Sequence, residues 1–274
     1  MNVKFYGVRG SIPACGMEFQ RYGGNTTCIR IFRELVNRLV IFDAGTGIRN
    51  LGKEIVAQGI HQPIINIIFS HFHWDHIQGL PFFQPAYNTN QRIGMLIMNK
   101  DRKYKDLKEI FTIPMQLEYF PVELQAMGAK FEFLSLGDSE TFYGALVTAV
   151  AQHHALYSGS YGFRIEDPSG SLVICTDLEH VDGIDEKIVN LAKGADLLIH
   201  DGQYTPEEYK KYKGWGHSSW EHAVQVANAA GVKKLIITHH DPDHDDSFLD
   251  AMEKECQKVF PNSCFAKEGM EVEV

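Results

Sequence analysis

The stretch Ser70-His71-Phe72-His73-Trp74-Asp75-His76 constrains this chain more than any other. Four side chains able to bind a metal, His71, His73, Asp75 and His76, fall within six residues. They follow Pro63-Ile64-Ile65-Asn66-Ile67-Ile68-Phe69, a short apolar run that reads as a buried strand. The donors are therefore delivered on a loop at the end of a rigid element. Imidazoles with a carboxylate suit zinc, and also manganese or iron. His71 and His73 alternate and can converge on one ion, and after the chain turns, Asp75 and His76 can face a second. Two ions roughly 3.5–4 Å apart form an arrangement for hydrolysis.

Composition narrows the setting. The 274 residues fit one large domain or two small ones, and 44% hydrophobic with 22% charged residues is ordinary for a globular core. A net charge of −9 argues against a protein built to grip nucleic-acid backbones. Cys15, Cys28, Cys175, Cys256 and Cys264 are scattered, odd in number and without a CxxC pair. That spacing opposes a disulfide framework or a zinc ribbon and fits reduced thiols in a cytoplasm. Met1 to Gly7 contains no apolar signal region, and no apolar run approaches the roughly 20 residues of a membrane span.

Along the chain, residues 3–6, 28–32 and 38–42 read as strands, the last two joined by a turn at 34–37 as a hairpin. Asp43 closes the third strand and precedes Ile48, Leu51, Ile55 and Val56 at helical spacing, so it could simply cap that helix. Residues 77–83 start a short helix, 93–98 form a strand, and 101–111 have a helical pattern. Residues 114–121, bounded by prolines and rich in large side chains, read as a loop covering the core or as a lid over the metal site. Strands follow at 131–134 and 144–151, the second ending in Gln152-His153-His154. Residues 172–176 and 195–200 are buried strands ending in Asp177 and Asp201. His217 precedes a helix that Ser218-Ser219-Trp220-Glu221 opens as an S-x-x-E capping box and Gly231 stops. The last buried strand, 235–237, leads to Thr238-His239-His240. His240 and His244 read as polar loop groups, with His240 able to reach a substrate. A C-terminal helix after Ser247 and a strand at 270–274 complete the chain.

HxHxDH after a hydrophobic strand resembles the metallo-β-lactamase superfamily. Asp201 paired with a histidine before a helix, and Gly162-Phe163-Arg164, resemble its phosphodiesterase branch, which includes ribonuclease Z and cyclic-phosphate phosphodiesterases. The resemblance spans nearly the whole chain and is weakest at about 90–140. Strand and helix alternation gives an α/β chain of two sheets packed between helices, and the resemblance implies the αββα sandwich. The expectation is one domain over residues 1–274, with 90–140 as an elaboration.

The resemblance further implies a ligand histidine at the end of the 144–151 strand. Alignment from that strand selects His154 over His153. It implies one site of His71, His73 and His154, a second of Asp75, His76 and His239, and a bridging Asp177. Asp43 would orient ligands from behind them. Asp75, Asp201 and His217 are the catalytic candidates, the last two protonating the leaving oxygen or steadying developing charge. Two divalent ions are expected, zinc first and manganese second. His73 stands where oxygen-reducing diiron relatives carry a carboxylate, which argues against redox iron. The leading function is a phosphodiesterase acting on a small or cyclic phosphate ester. The alternatives are a ribonuclease Z-like nuclease and a thioesterase or lactonase, followed by a non-enzymatic binding module. A homodimer is what the resemblance implies, while charge and the absence of a long apolar run argue against nucleic acid and membrane as partners.

Overall fold

The computed structural model describes residues 1–98, 107–155 and 159–274. Its strands are β1 (Asn2–Gly7), β2 (Cys28–Arg33), β3 (Arg38–Phe42), β4 (Ile65–Phe69), β5 (Arg92–Met98) and β6 (Lys130–Leu136) in a first sheet. A second sheet holds β7 (Ser139–Phe142), β8 (Ala145–Gln152), β9 (Ser160–Asp167), β10 (Gly170–Cys175), β11 (Leu197–Asp201), β12 (Lys234–Thr238) and β13 (Ser263–Phe265). The terminal β14 (Glu271–Glu273) returns to the first sheet and pairs with β1, so each sheet has seven strands. The helices are α1 (Ile48–Ala57), α2 (Trp74–Ile77), α3 (Glu109–Thr112), α4 (Glu186–Ala192), α5 (Pro206–Tyr212), α6 (Trp220–Ala230) and α7 (Asp246–Val259). This is the αββα sandwich.

The apolar runs become strands buried on both faces, where successive side chains enter different layers. On β3, Val40 and Phe42 join the core between the sheets, while Leu39 and Ile41 join the layer with α1 and α2. On β10, Leu172 and Ile174 face the central core, and Val173 and Cys175 meet the layer with α4, α6 and α7. Phe42 and Phe163 meet edge to face across the two sheets at 5.8 Å. Each fully buried side chain of this size contributes about 1.5–3 kcal/mol.

Strand direction then positions the site. β3 to β6 are parallel in one sheet, and β10 to β13 in the other. Their carboxyl ends carry Asp43 after β3, His71 to His76 after β4, Asp177 after β10, Asp201 on β11 and His239 after β12. Crevices at such strand ends are where open α/β sheets place ligands. Asp43, Asp177 and His239 leave their strands in the left-handed region, at φ 59°, 57° and 63°. That conformation disfavours L residues and clusters at functional positions.

Several sequence expectations change. The short helix starts earlier, at Trp74, and 77–83 continues as a 3₁₀ turn at Leu80–Phe82. The helical pattern at 101–111 lies partly outside the described residues, and among the described ones the helix is α3, Glu109–Thr112. The S-x-x-E box shifts by one. Ser218 Oγ donates to Leu178 O (2.5 Å), so Ser219 caps α6 and exchanges hydrogen bonds with His222. β7 and β13 were not expected. Within 90–140, β5 and β6 are strands of the first sheet. All five cysteines are free thiols. No helix among the described residues is long and apolar enough to cross a membrane.

Candidate metal centre

The β4 loop starts with Ser70, whose N–H and hydroxyl both donate to Asp43 (2.8 Å each). Asp43 Oδ2 also accepts from His76 Nδ1 (2.8 Å). Asp43 therefore does not cap α1, whose N-cap is Gly47. It fixes the His76 tautomer and turns Nε2 toward Asp75 Oδ2 and Asp177 Oδ2, both at 3.2 Å.

Two groups of donor atoms result. His71, His73 and His154 form one, Asp75, His76, Asp177 and His239 the other, with donor atoms in each within 4.8 Å of one another. His154 Nε2 lies 3.0 Å from His73 Nδ1 and 3.8 Å from Asp177 Oδ1. His239 Nε2 lies 3.3 Å from Asp75 Oδ2 and 3.2 Å from Asp177 Oδ1. Asp177 thus reaches both groups. His154 is buried and His153 exposed, so the structure brings His154 rather than His153 to the cluster.

The charge pattern suits cations. Burial lowers His71 well below the usual imidazole range, His154 to about 4, and His73 also downward, keeping these rings neutral. Burial opposes ionisation of Asp75 and Asp177, yet the neighbouring histidines outweigh it and hold both well below the usual carboxylate range. Burial would lower His76 and His239, but Asp177 and Asp75 overcome it, raising His76 well above normal and His239 to about 9. A positive charge is therefore favoured among these carboxylates. Nε2 of His71 is buried without a protein hydrogen-bond partner, as a nitrogen aimed at an ion would be, and Nε2 of His76 meets only the carboxylates of Asp75 and Asp177. The donor set fits two divalent cations.

Asp201 and His217 adjoin this cluster. His217 Nδ1 donates to Asp201 Oδ2 (2.9 Å), and Asp201 is fixed by N–H groups of Ser218 (2.9 Å), Asp177 (3.1 Å) and Gln203 (3.2 Å). The His217 ring stacks on His239 at 4.9 Å. Sequence reasoning missed Ser70 and Gln203, whose Oε1 meets His239 Nδ1 at 3.1 Å. Neither has a local signal, because each acts through a residue distant in the chain.

One expectation needs correction. His240 does not reach the site. It is fully buried, donates from Nε2 to Ala266 O (2.9 Å) and stacks on Phe265. Residues 114–121 cover the core beside α2, with Met115 buried in it and Phe120 packed against it. There Trp74, Ile77, Ile113 and Phe120 help line a cavity of about 610 Å³.

His240 belongs to a set of buried histidines with a measurable consequence. Burial lowers His240 to about 3 and His200 to about 4, and lowers His180 strongly as well. The unfolded chain binds these protons below about pH 6.5, whereas the folded chain does not. Stability is therefore present above pH 6.5 and falls as pH drops toward 4, by about 1.4 kcal/mol per pH unit for each such histidine. Urea unfolding in chelator should show a clearly lower midpoint at pH 5 than at pH 7. Equal midpoints would contradict this account.

A family model described as "Beta-lactamase superfamily domain" matches residues 38–240. Ribonuclease Z of Methanosarcina acetivorans is 25% identical over an alignment of 320 residues, covering 100% of this chain and 98% of that protein. The metallo-β-lactamase fold protein YhfI of Bacillus subtilis superposes with a TM-score of 0.71 at 19% identity, covering 100% and 99% of the two chains. A diphosphatase of the PhnP family gives 0.69 at 19% identity, covering 100% and 96%.

Proposed function

The chain belongs to the metallo-β-lactamase superfamily, as a hydrolase, and we propose that it is a phosphodiesterase acting on a small or cyclic phosphate ester. His71, His73 and His154 would hold one divalent cation and Asp75, His76 and His239 a second, with Asp177 shared. Zinc suits this histidine and carboxylate set best, with manganese second. Such ions, when bound, supply Lewis acidity toward a phosphoryl oxygen and activate water.

The observation that carries the phosphodiester reading is the Asp201–His217 pair at 2.9 Å, outside the proposed ligands yet beside them. Donor atoms of His217, His154 and Asp177 lie within 4.8 Å of one another. An alkoxide leaves phosphorus poorly without a proton, and a histidine held at this place can deliver one. A thioester or a lactone has less need of that pair.

RNA is the second reading. The net charge of −9 opposes a nucleic-acid substrate, but a full-length likeness to a ribonuclease Z weighs against that exclusion. Turnover of bis(p-nitrophenyl) phosphate, a cyclic nucleotide, a precursor tRNA and a thioester, each with zinc and with manganese, separates the classes. We expect turnover of the small diesters. Cleavage of the thioester alone would overturn the reading, and cleavage of the tRNA alone would favour the second.

The histidine pair gives a narrower test. His154→Ala should lower cation affinity far more than His153→Ala, because His153 is exposed and meets Glu179 only through its backbone oxygen (2.8 Å). Elemental analysis of both variants checks this, and the reverse order would reassign the ligand.

A further inference from the structure

Glu179 lies two residues beyond Asp177 and is only 2% exposed. Its carboxylate reaches the loop that precedes α6. Oε1 accepts from the Gly214 N–H (2.6 Å) and the Tyr209 hydroxyl (3.2 Å), and Oε2 accepts from the Gly216 N–H (2.8 Å). The Gly216 carbonyl then accepts from His154 Nδ1 (2.7 Å). A carbonyl can only accept, so this contact puts the ring proton on Nδ1. It leaves the Nε2 lone pair facing His73 and Asp177.

The loop needs an outside anchor. Gly214 and Gly216 sit at φ 92° and 93°, where glycine is favoured, and neither has a side chain to hold the turn. A Cβ at Gly216 would lie 2.5 Å from His154 Nδ1, so the backbone approaches the imidazole as closely as only glycine permits. Two permissive residues on either side of Trp215 leave the carbonyl free to swing. The buried carboxylate, accepting from both N–H groups at once, removes that freedom.

We propose that Glu179 is a positioning residue for His154, fixing through the Gly216 carbonyl the tautomer and direction of the imidazole and so the affinity of one cation site. The proposal rests on the reading of His154 as a ligand. Partners of this kind, standing behind a ligand, typically change metal affinity by about 10–100-fold.

Glu179→Gln is nearly isosteric, but it replaces one acceptor oxygen with an NH₂ group that cannot accept from a glycine N–H. Chelator competition should show that one of two ions binds about 10–100-fold more weakly in this variant. The same change introduced into His154→Ala should have no further effect. In metal-free protein, the His154 Nδ1 proton, assigned by its loss in His154→Ala, should lose its protection from exchange in Glu179→Gln. Unchanged affinity in a folded Glu179→Gln protein would overturn the proposal, as would an equal loss on top of His154→Ala. If Glu179→Gln does not fold, Glu179→Asp, one methylene shorter, should show the same losses in milder form. If the wild-type chain binds no cation, the reading of the site fails. The proton signal still decides whether Glu179 orients His154, so the two failures are distinguishable.

Discussion

Asp177→Asn should lose bound cations and turnover together. Asp177 Oδ1 lies 3.2 Å from His239 Nε2 and 3.7 Å from His71 Nε2, while Oδ2 lies 3.2 Å from His76 Nε2. One carboxylate thus serves both donor groups. An amide would turn an NH₂ toward one of them and remove the negative charge from both. Replacing partners that stand behind ligands costs about 10–100-fold, so a shared ligand should cost more than about 100-fold in turnover. We expect less than one ion per chain by elemental analysis. Asparagine is the informative choice because Asp177 sits at φ 57°, where Asn is tolerated and Ala would add about 1–2 kcal/mol of strain. An unchanged melting temperature would then assign the loss to the site. Full cation content with normal turnover would remove Asp177 from it.

The donors around His71 were legible because four of them fall within six residues and follow an apolar run, so strand and ligands carry a joint signal. The central strands were legible for a related reason, since burial on both faces leaves uninterrupted apolar runs such as β4 and β10. β7 gave no such signal because Ser139, Glu140 and Thr141 are exposed at a sheet edge. Periodicity also misleads at the histidine pair. Ala145, Val147 and Ala149 are buried, and counting onward in twos reaches His153, but the alternation reverses at the strand end, where Ala151 is exposed and Gln152 buried. The strand ends at Gln152, and the turn that follows brings in His154 instead. Alignment to a family, rather than alternation, points to His154, the neighbour that the structure places beside His71 and His73. Ser70, Glu179 and Gln203 were hidden for a third reason: each acts across a gap in sequence that no local pattern encodes. The capping box moved because the folded site uses Ser218. Its N–H serves Asp201 and its hydroxyl serves Leu178, so capping falls to Ser219.

His217→Ala should retain both cations yet lose about 10²–10⁴-fold in turnover of an alkyl phosphodiester, the usual contribution of a positioned proton donor. Asp201 holds Nδ1 at 2.9 Å, and three backbone N–H groups hold Asp201, so the imidazole cannot easily rotate. Its ring stacks on His239 at 4.9 Å, against the proposed ligands. With Nδ1 engaged, Nε2 is the nitrogen left to carry a proton to a leaving oxygen. The dependence on leaving group tests this directly. A p-nitrophenolate departs with little help, so the loss on bis(p-nitrophenyl) phosphate should be much smaller than on an alkyl diester. A residue that only braced His239 or capped the turn would lower both rates alike and reduce cation content as well. Equal turnover of the alkyl diester by wild type and His217→Ala, with cations retained, would reject proton delivery by His217. It would shift the preferred substrate from phosphodiesters toward thioesters or lactones, whose cleavage makes less use of the Asp201–His217 pair.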